Sequence, residues 1–338
     1  MKRPSMRKIA ELAGVSVAAV SYALNNKPGI SEQTRRRILQ IMDDEQYISP
    51  SGTALLPHSQ KYLYLVIDDL SSFSNLFYAS ILDTITTASS KFGYHIVLCN
   101  RAVSFQTTAA AAAIRHGQAS GVIFLHDIED ETQLFLDRHE TPFVIIDSHG
   151  KTTGAARISA DYETAVFAAT QHLTDLGHRK LAFIGQGELP DFYSATMNGF
   201  RKALSQAGLE LQPQWIKDGA CDFDSAYRCM DEILQSVSLP DGVVCAADQF
   251  ALAAMHCAQN RGFAIPQDLS FVGVDDLPVS QIYHPPLTTI HIDVSELAEK
   301  AVAYLHRQIC TPSAASDAVH TIRSDQLIVR ASTDSCKK

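Results

Sequence analysis

The chain has 338 residues, 46% of them hydrophobic and 19% charged, with 28 Lys and Arg against 37 Asp and Glu for a formal net charge of −9. At roughly 150 residues per domain this allows two or three folding units with proper cores, and it excludes a disordered, fibrous or disulfide-stapled chain. No apolar run approaches the roughly 18 to 20 residues of a spanning helix, and Met1-Lys2-Arg3-Pro4-Ser5-Met6-Arg7 leads into no signal-peptide core, so a cytoplasmic protein with no membrane partner is the expectation.

The acidic balance is uneven along the chain. Residues 1–60 hold eight Lys/Arg and five Asp/Glu, net +3, which leaves twenty basic and thirty-two acidic residues, net −12, for the rest. Only the first segment suits a phosphate backbone. Within it, residues 1–49 read as three helices. The first runs from about Met6 to Ala13, with Ile9, Leu12 and Ala13 on one face, and Gly14 ends it. Ser16 caps a second helix carrying Val20, Ala23 and Leu24 at helical spacing through Asn25. After the loop Asn26-Lys27-Pro28-Gly29, Ser31 caps a third helix with Ile38, Ile41 and Met42 inward and Arg35, Arg36 and Arg37 near its start.

Residues 50–61 turn to Ser, Pro and Gly around the pair Leu55-Leu56 and mark a linker. From 62 to 332, strand-like runs alternate with helical ones, the pattern of βαβ units and parallel sheets. The strands predicted are Tyr62–Ile67, Tyr94–Leu98, Gly121–Leu125, Phe143–Ile146, Lys180–Ile184, Val243–Cys245 and Ser270–Val274. Helices are predicted at Leu76–Lys91, at Tyr162–Leu176 with Gly177 as C-cap, at Ala195–Ala207 and at Phe250–Arg261, and the Ala109–Ala113 stretch is a good helix former. About ten strands are too many for one sheet of ordinary size. Two α/β lobes with a ligand cleft between them are expected, roughly 62–159 with 292–321 and 162–288 with 322–332.

A helix-turn-helix needs a small residue at the turn, inward apolar contacts that fix the interhelical angle, and a second helix whose outward side chains reach base edges. The run Ile9-Ala10-Glu11-Leu12-Ala13-Gly14-Val15-Ser16-Val17-Ala18-Ala19-Val20-Ser21-Tyr22-Ala23-Leu24-Asn25 meets each requirement. Together with Asn26, Ser31, Thr34, Arg35 and Tyr47 it closely resembles the head of the lactose-repressor (LacI/GalR) family. The body resembles the sensor domain of the same family, akin to periplasmic binding proteins. That likeness rests on Gly177-His178-Arg179-Lys180-Leu181-Ala182-Phe183-Ile184-Gly185, on Ser270-Phe271-Val272-Gly273-Val274-Asp275-Asp276-Leu277-Pro278 and on Pro285-Pro286-Leu287-Thr288-Thr289-Ile290. The implied fold is an all-α helix-turn-helix DNA-binding head plus a two-lobed α/β sensor domain. The implied function is a transcriptional repressor, at least homodimeric, that binds pseudo-palindromic operator DNA and responds to a small-molecule effector.

By that resemblance Val17, Ala18 and Tyr22 take the base-reading positions, while Ser16, Ser21, Asn25, Ser31 and Thr34 fall at phosphate-contacting ones. None of the three readers carries the donor fork that reads guanine, so readout leans on thymine methyls, the Tyr22 hydroxyl and duplex shape. Leu56 matches the leucine that wedges into the minor groove from a hinge helix. Gly52 and Pro57 replace better helix formers around it, and packing of Leu55 and Leu56 under the linker is the alternative.

In the body, Asp275 matches an effector-binding carboxylate at a strand end, and Asp161 and Asp248 lie at strand-to-helix transitions. Phe77 and Tyr78, after Asn75, match the stretch that lines the pocket. For Asp161, helix capping and ligand contact are equally supported. Two positions depart from the family: Thr196, the effector-binding candidate at its position, stands where an arginine is expected, and Ala247 where an asparagine precedes Asp248. Without the arginine fork, an acidic cleft of Asp275, Asp161 and Asp147 favours polyols, sugars among them, or amines over acids.

Enzyme chemistry finds no support. Asp275 and Asp276 are adjacent on an extended chain and point apart, Gly185-Gln186-Gly187 lacks the third glycine of a dinucleotide fingerprint, and no GxSxG, Walker or HExxH motif occurs. No cofactor is implied. The seven cysteines form no CxxC pair and read as reduced packing residues, with no metal site indicated by spacing. A secreted sugar-binding protein would fit the body but not the attached head.

Overall fold

Short capping side chains set the limits of the three head helices. In this computed structural model, which describes residues 5–24, 29–44, 61–67, 76–100, 104–148, 150, 156–311 and 319–336, α1 spans Met6–Ala13, α2 Val17–Leu24 and α3 Glu32–Asp44. The Ser5 hydroxyl accepts from the Lys8 N–H, and Gly14 closes α1 in the left-handed conformation at φ +63°. Ser16 and Ser31 cap α2 and α3 by accepting from the N–H groups of Ala19 and Thr34, both at 3.1 Å. Ile9, Ala10, Ala13, Val20, Ala23, Ile38, Leu39 and Met42 form the head's core. Leu12, expected on the inner face, is 39% exposed. At about 100° per residue, Ile9, Ala10 and Ala13 complete a stripe from which Leu12 stands about a quarter-turn away.

The body builds two sheets. Its elements, in order, are β1 (Lys61–Ile67), α4 (Leu76–Ser90), β2 (Tyr94–Asn100), α5 (Ala109–Arg115), β3 (Gly121–Phe124), α6 (Asp130–Arg138), β4 (Phe143–Ile146) and β5 (Arg157–Ala160). They continue with α7 (Tyr162–Asp175), β6 (Leu181–Ile184), α8 (Pro190–Gln206), β7 (Ile216–Lys217), α9 (Phe223–Leu234), β8 (Gly242–Cys245), α10 (Asp248–Asn260) and β9 (Ser270–Asp275). The last are α11 (Pro278–Ile282), β10 (Thr288–His291), α12 (Val294–Cys310), β11 (Val319–Ile322) and β12 (Leu327–Ile328). The first sheet has the order β11-β5-β4-β3-β1-β2 and is parallel throughout. The second has the order β12-β10-β9-β8-β6-β7, with only β12 antiparallel to its neighbour.

Strands β3, β4, β6, β8 and β9 are buried along their whole lengths, as parallel strands covered on both faces must be. The chain passes between the sheets three times: after β5, after β10 and after β11. Helix α8 begins five residues before the predicted Ala195, because Pro190 supplies a pre-set first turn. It lies so close to α7 that a Cβ at Gly199 would overlap the Glu163 carbonyl and come within 2.9 Å of the Phe167 nitrogen.

Candidate functional sites in the head and the cleft

On α2 the outward and inward residues divide cleanly. Placed at about 100° intervals, Val17, Ala18, Ser21 and Tyr22 fall within one arc of about 140°, opposite the buried Val20 and Ala23. Val17 and Tyr22 are 42% and 39% exposed, large for apolar and aromatic side chains in a folded domain, and Ala18 is exposed beside them. The Tyr22 ring packs over Gly29, where a Cβ would stand 3.3 Å from two ring carbons and where φ is +120°. Glycine there gives the ring its seat.

The hydroxyls of Ser16, Ser31 and Thr34 gather at the N-termini of α2 and α3, with Ser31 and Thr34 hydrogen-bonded to each other at 2.7 Å. Helix N-termini with small hydroxyls suit phosphate oxygens. Arg36 and Arg37 stand exposed on α3, while Arg35 donates to the carbonyls of Tyr22 (3.0 Å) and Ala23 (3.4 Å). Arg35 therefore closes the C-terminal turn of α2, a role that its place in a basic run concealed. Asn25, Asn26, Tyr47, Gly52, Leu55, Leu56, Pro57 and Asn75 lie outside the described residues.

In the body, side chains converge at the C-terminal ends of the strands, where open α/β sheets take ligands. From the first lobe come Tyr78, at the start of α4, and Asp147, just beyond β4 at φ +59°. Tyr162, the first residue of α7, donates from its hydroxyl to the Asp147 carboxylate at 3.1 Å and meets Phe192 edge-on at 4.9 Å. Phe77 and Tyr78 stack edge-to-face, and Tyr78 meets His126 in the same way at 5.1 Å. Tyr162 and His126 were not singled out by the sequence; a tyrosine opening a helix carries no local mark of this role.

Asp275 ends β9 at φ +124°, and Asp276 follows at φ +60°. Two successive non-glycine residues in that half of conformational space hold strain that the surroundings must fix. Asp276 is held on one side, by Arg330 at 2.5 Å and by His291 Nδ1 at 3.1 Å. Asp275 points the other way and is buried, and burial pushes its carboxyl well above the ordinary range, helped by the neighbouring charges of Asp248 and Asp147. The backbone N–H of Asp248, in the first turn of α10, works in the opposite sense. A carboxyl that keeps its proton can both donate and accept.

Three expected ligand contacts are engaged elsewhere. Asp248 is fully buried, and its oxygens accept from the Leu277 N–H (2.9 Å), the Ser280 hydroxyl (2.6 Å) and the Thr289 hydroxyl (2.5 Å). It fastens the turn that carries Asp275, and burial pushes its carboxyl up to about 7 despite those bonds. Asp161 spends both oxygens on its own helix, accepting from the Thr164 N–H at 3.0 Å and the Thr164 hydroxyl at 2.6 Å. Of its two readings, the cap describes its contacts. Thr196 is fully buried, and its hydroxyl donates to the carbonyls of Phe192 and Tyr193 within α8, so it has no hydrogen left for a ligand.

Residues 5–50 match the family of bacterial regulatory proteins, lacI family, and residues 170–333 match the periplasmic binding protein-like domain. The HTH-type transcriptional repressor PurR of Vibrio cholerae serotype O1 is 27% identical over 310 residues, covering 90% of this chain and 91% of that protein. Catabolite control protein A of Priestia megaterium is 29% identical over 287 residues, covering 83% and 85%. Among solved structures, a complex of the transcriptional regulator CelR with cellobiose superposes with a TM-score of 0.70 at 25% identity, covering 98% of this chain and all of that one.

Proposed function

Because the chain belongs to the lacI family of bacterial regulatory proteins, we propose that it is a sequence-specific transcriptional repressor whose grip on DNA is set by a small molecule bound between its two lobes. The family and these relatives are transcription regulators rather than enzymes. No helix among the described residues is long and apolar enough to cross a membrane.

The observation that carries the reading is the outward arc of α2, with Val17, Ala18 and Tyr22 exposed and Ser21 half-buried between them, opposite a sealed core. Such an arc fits the major groove, with apolar contacts to thymine methyls and the Tyr22 hydroxyl on a base edge. Ser16, Ser31 and Thr34 fix register on phosphates, Ser21 and Asn25 join them, and Leu56 from the linker wedges the minor groove. Two copies place two heads on the halves of a pseudo-palindromic operator.

The effector is an uncharged, hydroxyl-rich molecule of the sugar or polyol class. Burial favours the protonated form of Asp275, which has a donor and an acceptor, the half-buried Tyr78 offers a ring backed by the buried Phe77, and Thr196 supplies no cation for an acid. CelR, which shares this fold, was solved with cellobiose. A ligand touching Asp147 and Tyr162 as well as Asp275 bridges both lobes, so it favours one lobe angle and thereby one spacing of the linkers.

Selection of duplexes from a random pool by the full-length protein tests the reading. Enrichment of a two-fold-symmetric site, bound at least a hundredfold more tightly than random duplex at the same salt, is expected. No enrichment would sink it. A thermal-shift screen against sugars and polyols should then yield a hit that Asp275→Ala abolishes.

A further inference from the structure

At the opposite end of the second sheet, before β6 and β8 begin, three side chains with metal-binding atoms meet: His178, Asp241 and Cys336. The His178 ring is 4% exposed. Its Nε2 lies 3.0 Å from the Asp334 carbonyl, which can only accept, so Nε2 carries the hydrogen. On a neutral ring, Nδ1 then presents a bare lone pair. This atom is buried, has no hydrogen-bond partner and points at the Asp241 carboxylate 3.4 Å away.

The Asp241 carboxylate is itself an acceptor, already taking the N–H groups of Lys180 at 3.1 Å and Arg179 at 3.2 Å. A buried acceptor faces a half-buried one, an unfavourable arrangement that a cation between them reverses. The Cys336 sulfur stands 4.0 Å from the other Asp241 oxygen, and all three donor atoms lie within 4.8 Å of one another. Tetrahedral zinc, with bonds of about 2.0–2.3 Å, holds its donor atoms about 3.3–3.7 Å apart. The His–Asp separation already fits, and Cys336 is the partner that must move inward.

We propose that His178 Nδ1, an Asp241 oxygen and the Cys336 sulfur form a site for a divalent ion of the zinc type, which fastens the C-terminal tail to the second lobe. Imidazole, carboxylate and thiolate together select zinc over magnesium or calcium, which take oxygen donors. On binding, the Cys336 thiol releases its proton and coordinates as thiolate; no electron transfer is involved. Three protein donors leave a fourth position for water. Spacing along the chain gave no sign of the site, because Asp241 and Cys336 are 95 residues apart in sequence.

Full-length protein titrated with cobalt(II) tests the proposal. One equivalent per chain should give a thiolate-to-cobalt charge-transfer band that zinc displaces. Cys336→Ser should abolish the band and weaken zinc binding at least tenfold while leaving the metal-free melting temperature unchanged, and Asp241→Asn should weaken binding without removing the band. Cys221→Ser and Cys310→Ser, at the exposed cysteines, should change neither. A wild-type protein with no saturable band, or a band that survives Cys336→Ser or disappears with Cys310→Ser, overturns the site and leaves a proton between His178 and Asp241 as the cation.

Discussion

Replacing Asp248 with Asn removes one negative charge while keeping the atoms that hold the cleft turn. In the fold its carboxyl sits at about 7 against an ordinary 3.8. That rise corresponds to about 4 kcal/mol between the two protonation states. The folded value is raised, so the stability linked to this proton is complete below about pH 4 and is lost as pH rises through about 7. At pH 5 the wild-type group is protonated and Asn is its near-isostere. The Asn oxygen accepts from Leu277 N–H and the Ser280 hydroxyl, and its amide donates to Thr289, whose hydroxyl turns to the Ile290 carbonyl 3.4 Å away. Because the unfolded carboxyl is already ionised at pH 5, the Asn variant should be ahead by about 1–2 kcal/mol there and by about 3–4 kcal/mol at pH 8.5. Urea unfolding of the body transition at intervals across that range reads the difference, in which titrations remote from Asp248 cancel and that of Asp275, which feels its charge, contributes. An offset that stays constant with pH, or an Asn variant less stable at pH 8.5, would refute the reasoning.

Other substitutions probe the remaining joints. Gly199→Ala forces α7 and α8 apart at the Glu163 carbonyl and should cost about 2–3 kcal/mol, a fall of roughly 5–10 °C in the melting temperature of the body; a change under about 2 °C would contradict the close approach. Arg35→Ala uncaps the end of α2 and should lower head stability by about 1 kcal/mol after allowance for partial exposure, read as faster amide exchange in the last turn of α2. Tyr22→Ala should cut the ratio of operator to random-duplex affinity about tenfold and leave the salt dependence unchanged; equal losses on both duplexes would remove Tyr22 from readout.

The head was almost wholly legible because its signals are local: a serine cap, a left-handed glycine and apolar residues at helical spacing stand within one turn of what they control. Leu12 escaped because two candidate stripes differed only in whether Ala10 or Leu12 completed them, and Ile38 and Met42 on another helix chose the former. The buried strands announced themselves as apolar runs even at four residues. β5, β7, β10, β11 and β12 did not, since they are either interrupted by polar residues such as Arg157, Lys217, Thr288 and His320 or only two residues long. The cleft was legible only in part. Asp275 was marked by ending a strand, but Asp248 looks the same in sequence and differs only in donors that arrive from 29, 32 and 41 residues away. Thr196 looked like a vacated ligand position, yet a threonine inside a helix can satisfy itself on carbonyls of the preceding turn.

The three passages between the sheets also govern the order in which the protein can be finished during synthesis. The first sheet begins early, yet it lacks its edge strand β11 until residue 322 has been made. It also lacks α12, which buries Leu297, Ala298, Ala301, Val302 and Leu305 in its core. The second sheet is nearly complete in one uninterrupted stretch from Tyr162 to His291. At about 5–20 residues per second the ribosome holds the first lobe open while the second closes. The lobe that starts first is completed last, so a chain cut short before α12 leaves the apolar faces of β4 and α4 uncovered.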